Sequence, residues 1–503
     1  MATGEYEFIV VSNRLPVDRV IEPDGSASWQ HSPGGLVTAL EPVMRENGGA
    51  WVGWAGQPDL EFKPFDSDGI HVVPVKLSVA DLENYYEGFS NDTLWPLYHD
   101  VISPPSFHRE WWESYVNVNQ RFADAAIAIA AHGAVVWVQD YQLQLVPKML
   151  RSARPDLTIG FFNHIPFPPY GIYSQLPWRS QIIEGLLGAD VVGFQRVADA
   201  ANFSRAVRRL TGHVTRYPFI EVPRAEGPAP EGGQQVAHRR VLAKAFPISI
   251  DSQSFEELAR TPEVQARAQE IREELGNPKT IMLGVDRLDY TKGIGHRLKA
   301  FGELLQEGRL DVEDVTLVQV ANPSRERVQA YMLLRDEIEL TVGRINGDFG
   351  TISHQAISYH HRGYPREEMV ALYLAADVML VTALRDGMNL VAKEYVASRF
   401  DNDGVLVLSE FTGASDELRR SLRINPHDID GLKDAMVQAI EMPRIERARR
   451  MRAMRKLVLR NNVSRWSAEF LSALRSAGNL THELDDDDPL GDLEWTIERT
   501  RHR

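Results

Sequence analysis

Short apolar, β-branched runs recur along the chain, and between them apolar positions return at helical spacing. The runs predict strands at Phe8–Ser12, Val72–Val75, Val135–Gln139, Thr158–Asn163 and Val191–Phe194 in the first half. In the second half they predict Thr280–Val285, Val315–Val320, Val378–Thr382 and Val405–Leu408. Helices are expected at Leu36–Asn47, Trp178–Leu187, Gly295–Gln306 and Arg366–Ala375. Strands alternating with helices imply α/β layers around parallel sheets. The runs are continuous, as they should be in strands buried on both faces. Arg224–Gln235 is rich in Pro, Gly and polar residues and reads as an exposed loop. It precedes a last strand of the first series, Val241–Phe246, and a linker near Ser249–Ser254. Two α/β domains follow, 1–248 and 249–462. The chain from about Asn479, with its acidic run Asp485–Asp488, reads as a mobile tail (478–503).

In open α/β sheets, ligands bind beyond the carboxyl ends of the strands. Polar residues gather at those ends here. Asn13 and Arg14 follow the first run, Asp140 follows Val135–Gln139, and His164 follows Thr158–Asn163. Asp286, Arg287, Asp289 and Lys292 cluster after Thr280–Val285, Ser324 and Arg325 lie beyond Val315–Val320, and Arg385 and Asp386 beyond Val378–Thr382. Taken singly, each has an ordinary structural explanation: Asp140 as a helix cap, His164 as a core histidine, Arg14 and Lys292 as solvated cations. Their joint placement on one edge of each sheet points to a ligand cleft.

Three segments carry readable chemistry. Ser32-Pro33-Gly34-Gly35-Leu36 leads into a helix, where paired glycines permit close approach and free amides favour phosphate. Asp286–Gly293 sets Arg287 and Lys292 beside a strand end, suited to a departing pyrophosphate. Leu384–Glu394 runs from a strand end through a glycine turn into a helix. Its amides at Met388–Leu390 can meet sugar or phosphate, and Glu394 can accept from ribose hydroxyls.

The formal charge of −15, from 55 basic and 70 acidic residues, argues against a nucleic-acid partner. With no cysteine there is no disulfide, thiolate nucleophile or cysteine metal site. The start of the chain lacks the pattern of a secretory signal, and the most apolar stretch, Ala125–Val138, is shorter than the ~20 residues that span a bilayer. A cytoplasmic protein without a membrane partner is the expectation. Neither a P-loop nor a G-x-G-x-x-G fingerprint nor a G-x-S-x-G elbow occurs.

Together the segments VSNRLP (11–16), WVGWAG (51–56), LWPLYH (94–99), VWVQDYQLQLVP (136–147), GFFNHIPFPP (160–169), GVDRLDYTKGI (284–294) and LVTALRDGMNLVAKEYVA (380–397) resemble the trehalose-6-phosphate synthases of glycosyltransferase family 20. The resemblance covers roughly residues 6–475. It implies a GT-B fold, two Rossmann-like domains facing a cleft, with a helix at about 463–477 returning to the first domain. It implies retaining transfer of glucose from a nucleoside diphosphate glucose to glucose 6-phosphate, without metal or other cofactor, in a homodimer or homotetramer. Arg14, Tyr86, Trp95, Asp140 and Arg325 would form the acceptor site. Gly34, Gly35, Arg287, Lys292, Tyr364, Asp386, Gly387, Met388, Asn389, Leu390, Val391, Ala392, Lys393 and Glu394 would hold the donor. His164, Arg287, Lys292 and Asp386 would be the catalytic set, His164 and Asp386 meeting hydroxyls of the transferring glucose. Gln139 and Gln142 stand where the family often has His, Asn163 where Leu is usual, and Tyr364 where Phe also occurs.

The resemblance leaves the donor base open between uracil and adenine, and retention open between same-face attack and a covalent intermediate. Two other readings compete. A pyridoxal-phosphate phosphorylase of the same fold would need a Schiff-base lysine. A sugar-phosphate sensor would have lost at least one of the charged site residues, all of which are present.

Overall fold

The computed structural model describes residues 4–21, 27–31, 35–46, 48–223 and 238–483. Gly34, the expected 224–235 loop and the expected tail beyond 483 lie outside the described residues. The chain forms two α/β domains, each around its own sheet.

In the first sheet seven strands run parallel, in the spatial order His238–Ala245, Val191–Phe194, Thr158–Phe162, Ala130–Gln139, Tyr6–Arg14, Ala50–Trp54 and Ile70–Pro74. Short antiparallel strands extend it at both edges. Strand order reverses between Tyr6–Arg14 and Ala130–Gln139, so loops diverge there and leave a crevice. The second sheet is wholly parallel: Ile357–His360, Val315–Asn322, Thr280–Arg287, Val378–Val381, Val405–Ser409 and Leu422–Ile424. Its order reverses between Thr280–Arg287 and Val378–Val381. The runs that predicted these strands are buried almost throughout, for example Thr158–Phe162 and Val405–Ser409.

Some strands overrun the sequence expectation at their carboxyl ends, among them Tyr6–Arg14, Thr280–Arg287 and Val315–Asn322. Asn13 and Arg14 belong to the first strand, and Asp286 and Arg287 to the first strand of the second sheet. Ala50–Trp54 is a strand despite its internal glycine, and all five residues are buried.

Two crossings join the domains side by side. The Val463 amide donates to the Ile250 carbonyl at 3.0 Å, and the Lys393 ammonium donates to the Ile248 carbonyl at 2.8 Å. From there the helix Val463–Glu483 lies across strands of the first sheet. Trp466 donates to the Phe246 carbonyl at 3.1 Å, and Phe470 stacks on Trp137 with centroids 4.4 Å apart. The helix continues past 477, so residues 478–483 are helical where the sequence reading began the tail.

Candidate active site

Both reversal points face the same cleft. On the first domain the strand Tyr6–Arg14 delivers Arg14, whose guanidinium is half exposed, bonds Asp18 at 2.7 Å and lies 5.4 Å from the Trp54 ring. Gly56 makes room for it. A Cβ there would fall 2.4 Å from Arg14 Cζ, and its φ of +85° disfavours any side chain. Tyr86, on the π-helical stretch Leu82–Leu94, sits 6.4 Å from Trp54, ring to ring.

Asp140 follows the neighbouring strand with a φ of +71°. It does not cap the following turn; its carboxylate accepts from the His164 amide at 3.0 Å. Burial pushes the Asp140 carboxyl up to about 6, against the lowering effects of the Tyr141 and His164 amides, Arg287 and Arg325. His164 leaves the next strand with its imidazole Nε2 2.9 Å from Gln139 Oε1. Burial lowers that imidazole to about 3, so it is neutral at physiological pH.

The second domain answers with cations. Arg325, at a φ of +50°, inserts its guanidinium over the Trp95 ring at 3.9 Å and donates to the Tyr141 hydroxyl at 3.1 Å. Both partners belong to the first domain. Arg287 lies 5.2 Å from the same Trp95 ring and stays half exposed. Beneath them Asp289, fully buried, gathers Arg325 at 3.4 Å, the Tyr331 hydroxyl at 3.1 Å and Arg287 at 4.0 Å. Burial alone would raise its carboxyl, but Arg325, Arg287 and Lys292 outweigh that and hold it at about 2.

Lys292 donates to Asp386 at 2.6 Å, and Asn389 donates to the same carboxylate oxygen at 3.2 Å. Burial would raise Asp386, yet the Lys292 ammonium, its hydrogen bond and Asn389 keep it lowered. Asn389 caps the helix Leu390–Ser398, accepting from the Ala392 amide at 3.0 Å. Val391 and Ala392 lie in its first turn, and Met388 is buried just before it. Gly387 presses against the first domain: a Cβ would meet the His164 carbonyl oxygen at 2.3 Å. Glu394 accepts from Tyr373 at 2.7 Å, and burial raises its carboxyl. Tyr364 shares a 2.9 Å hydrogen bond with His360 and accepts another from Arg362. Gly35 opens the helix Gly35–Glu46.

Some placements differ from the sequence reading. Asp286 turns into the core, where it pairs with buried Arg297 at 2.7 Å, and leaves the strand-end cluster. The Lys393 side chain is spent on Glu417 and the Ile248 carbonyl. Sequence reasoning missed Asp289 as the hub of the cations, with Tyr141, Tyr331 and His99. The His99 ring lies 4.1 Å from Trp95, tilted against it, and is lowered to about 3 by burial. From sequence, Asp289 and Arg385 read only as strand-end residues. Arg385 pairs across the cleft with Asp100 at 3.2 Å and Asp199 at 3.7 Å, and Arg196 clamps Asp416 at 2.8 and 2.9 Å. Among the described residues no cluster of His, Asp and Glu is placed to hold a metal ion. A depression of about 910 Å³ between the helices Ile294–Gln306 and Gln329–Phe349 lies apart from all these residues.

The glycosyltransferase family 20 model matches residues 6–476. The chain belongs to glycosyltransferase family 20. A trehalose-6-phosphate synthase of Mycolicibacterium gilvum is 58% identical over 487 residues, covering 96% of both chains. One of Mycobacterium tuberculosis strain H37Rv is 57% identical, over 94% of this chain and 95% of that one. Among solved structures, the UDP-forming synthase of Burkholderia xenovorans in complex with glucose 6-phosphate superposes with a TM-score of 0.83 at 34% identity, over 93% of this chain and 100% of that one. An Escherichia coli family member bound to UDP-2-fluoro glucose gives 0.82 at 32%, over 93% and 98%. This family 20 chain therefore has the GT-B architecture: two Rossmann-like domains with the charged residues on facing edges.

Proposed function

We infer that the chain transfers glucose from a nucleoside diphosphate glucose to glucose 6-phosphate, forming α,α-trehalose 6-phosphate with retention. The observation that carries this is the meeting of two polar groups across one cleft. Arg14, Tyr86 and Asp140 stand on one wall. Arg287, Arg325 and the Lys292–Asp386 pair stand on the other, with Trp95 between them.

In this reading Arg14 and Arg325 grip the 6-phosphate, since forked guanidinium donors match a phosphate. Asp140 accepts from an acceptor hydroxyl. Arg287 and Lys292 take the charge that grows on the leaving pyrophosphate, so no metal is needed there. His164 and Asp386 bind hydroxyls of the transferring glucose. Gly35, Gly387, Met388, Leu390, Val391 and Ala392 offer backbone to the phosphates, and Glu394 and Tyr364 approach the ribose and base. The enzyme acts mainly by holding two substrates in register and stabilising charge. Residues 1–248 would serve the acceptor and 249–462 the donor. A cytoplasmic homodimer or homotetramer is part of this reading; among the described residues no helix is long and apolar enough to cross a membrane.

Nucleotide release is the test, measured from UDP-glucose and ADP-glucose with and without glucose 6-phosphate, in the presence of a chelator. Acceptor-dependent release supports the reading, and the faster donor identifies the base. A folded protein that binds glucose 6-phosphate but releases nothing from either donor is a sensor instead.

A further inference from the structure

Gln139 is the last residue of the strand Ala130–Gln139 and is only 1% exposed. It pairs in register with Phe162, two residues before His164. Its Oε1 lies 2.9 Å from His164 Nε2, while its own Nε2 is buried without a hydrogen-bond partner. An amide buried at that cost, with one end spent on a single imidazole nitrogen, needs a reason. Among the described residues no other side chain is hydrogen-bonded to the ring. Phe162 packs on it at 4.6 Å and Trp466 lies 6.2 Å away. Asp140 is engaged by the His164 backbone amide, and Gly387 covers its carbonyl. The neighbouring Lys292 and Asp386 are paired with each other.

The geometry points to Gln139 as a positioning residue for glucosyl transfer: its side-chain oxygen keeps the imidazole proton of His164 on Nε2, so that Nδ1 faces the cleft as an acceptor for a hydroxyl of the transferring sugar. This rests on the reading that His164 meets that sugar. Which nitrogen of a neutral imidazole carries the proton is set by the hydrogen bond the other makes. A fixed tautomer spares the site the choice between donor and acceptor at each turnover. Among the described residues no charged side chain bonds the ring, and burial keeps it neutral in the physiological range.

Two-bond proton–nitrogen correlations on protein carrying ¹⁵N-histidine read the tautomer directly, with the His164 signal identified by its loss in His164→Asn. The expected result is a neutral ring protonated at Nε2 from pH 6 to 8. Gln139→Leu should shift the ring towards Nδ1–H and lower kcat/KM for the donor about tenfold, roughly the worth of one hydrogen bond. The KM for glucose 6-phosphate should stay unchanged. Gln139→Glu keeps an oxygen in place but favours the imidazolium, so His164 should begin to titrate above pH 6. Donor kcat/KM should recover towards wild type above that titration and fall below it. A wild-type ring protonated at Nδ1 overturns the proposal. So does a folded Gln139→Leu enzyme with full donor kcat/KM while His164→Ala loses it. If His164→Ala itself keeps donor kcat/KM, the reading of His164 fails and takes the proposal with it. The wild-type spectrum decides the tautomer even where a variant does not fold.

Discussion

The cations of the cleft fall into two kinds. Arg14 and Arg287 are half exposed, at 49% and 47% of their side-chain surface. Lys292 and Arg325 show 10% and 5%, and each already holds a buried carboxylate. An exposed arginine is solvated and adaptable, and it contributes little to the fold until a phosphate arrives. A buried, paired cation is fixed before the ligand comes, and the fold depends on its partner as much as the chemistry does. Arg14, of the first kind, suits capture of the 6-phosphate. Lys292, of the second, suits stabilisation of charge that appears only in the transition state, where reorganisation would be costly.

The sharpest break of this contrast is Lys292→Ala. Turnover should fall about a thousandfold, the scale for losing a preorganised charge at the reacting centre. The thermal midpoint should fall too, because Asp386 is left buried without its cation. Full stability with turnover lost would mean that Asp386 finds another partner. Arg14→Ala should do the opposite. The KM for glucose 6-phosphate should rise about a hundredfold, as expected for a charge-assisted phosphate contact, with an unchanged melting curve. A loss of stability there would erase the distinction.

Asp289→Asn tests the hub. The carboxyl is held down at about 2, below the ordinary aspartate value of about 3.9. Its ionised form therefore contributes stability above pH 4 that is lost as pH falls through 2. The shift corresponds to about 2 kcal/mol. Denaturant melts should show the variant weaker than wild type by that order at pH 7, with the gap closing below pH 4. A constant gap would mean that the hub acts through packing alone. Gly56→Ala should displace the Arg14 guanidinium and raise the KM for glucose 6-phosphate about tenfold, leaving the donor KM alone. The smallest effect concerns Asp140, raised to about 6 by burial. If its carboxylate accepts from the acceptor sugar, kcat/KM for glucose 6-phosphate falls as pH drops through about 6. Asp140→Asn removes that acidic limb at a lower plateau.

Much of this was legible beforehand. Apolar runs located the parallel strands because a strand buried on both faces must be apolar throughout. Strand ends located Arg14, Asp140, His164, Arg287 and Lys292, because loops at the carboxyl edge are where a doubly wound sheet opens. Ala50–Trp54 escaped because glycine breaks its run, and Leu422–Ile424 because three residues carry little pattern.

Side-chain direction was another matter. Asp286 and Arg287 are adjacent, yet one enters the core and the other the cleft, since successive residues of a strand face opposite sides. Which side is the cleft depends on where the second domain sits. Asp289 looked like one more polar residue after a strand, and only folding gathers Arg325, Tyr331 and Arg287 around it. Arg325 reaches Trp95 and Tyr141, and Arg385 reaches Asp100, across the cleft from far away in sequence.

The sequence by itself determined the strands, the edge on which the chemistry collects, and the family, because these follow from local pattern and ordered motifs. The tertiary structure alone decided which charges are spent on each other and which stay free for substrates. That choice depends on distances across the cleft and on burial, and neither exists until two sheets face one another.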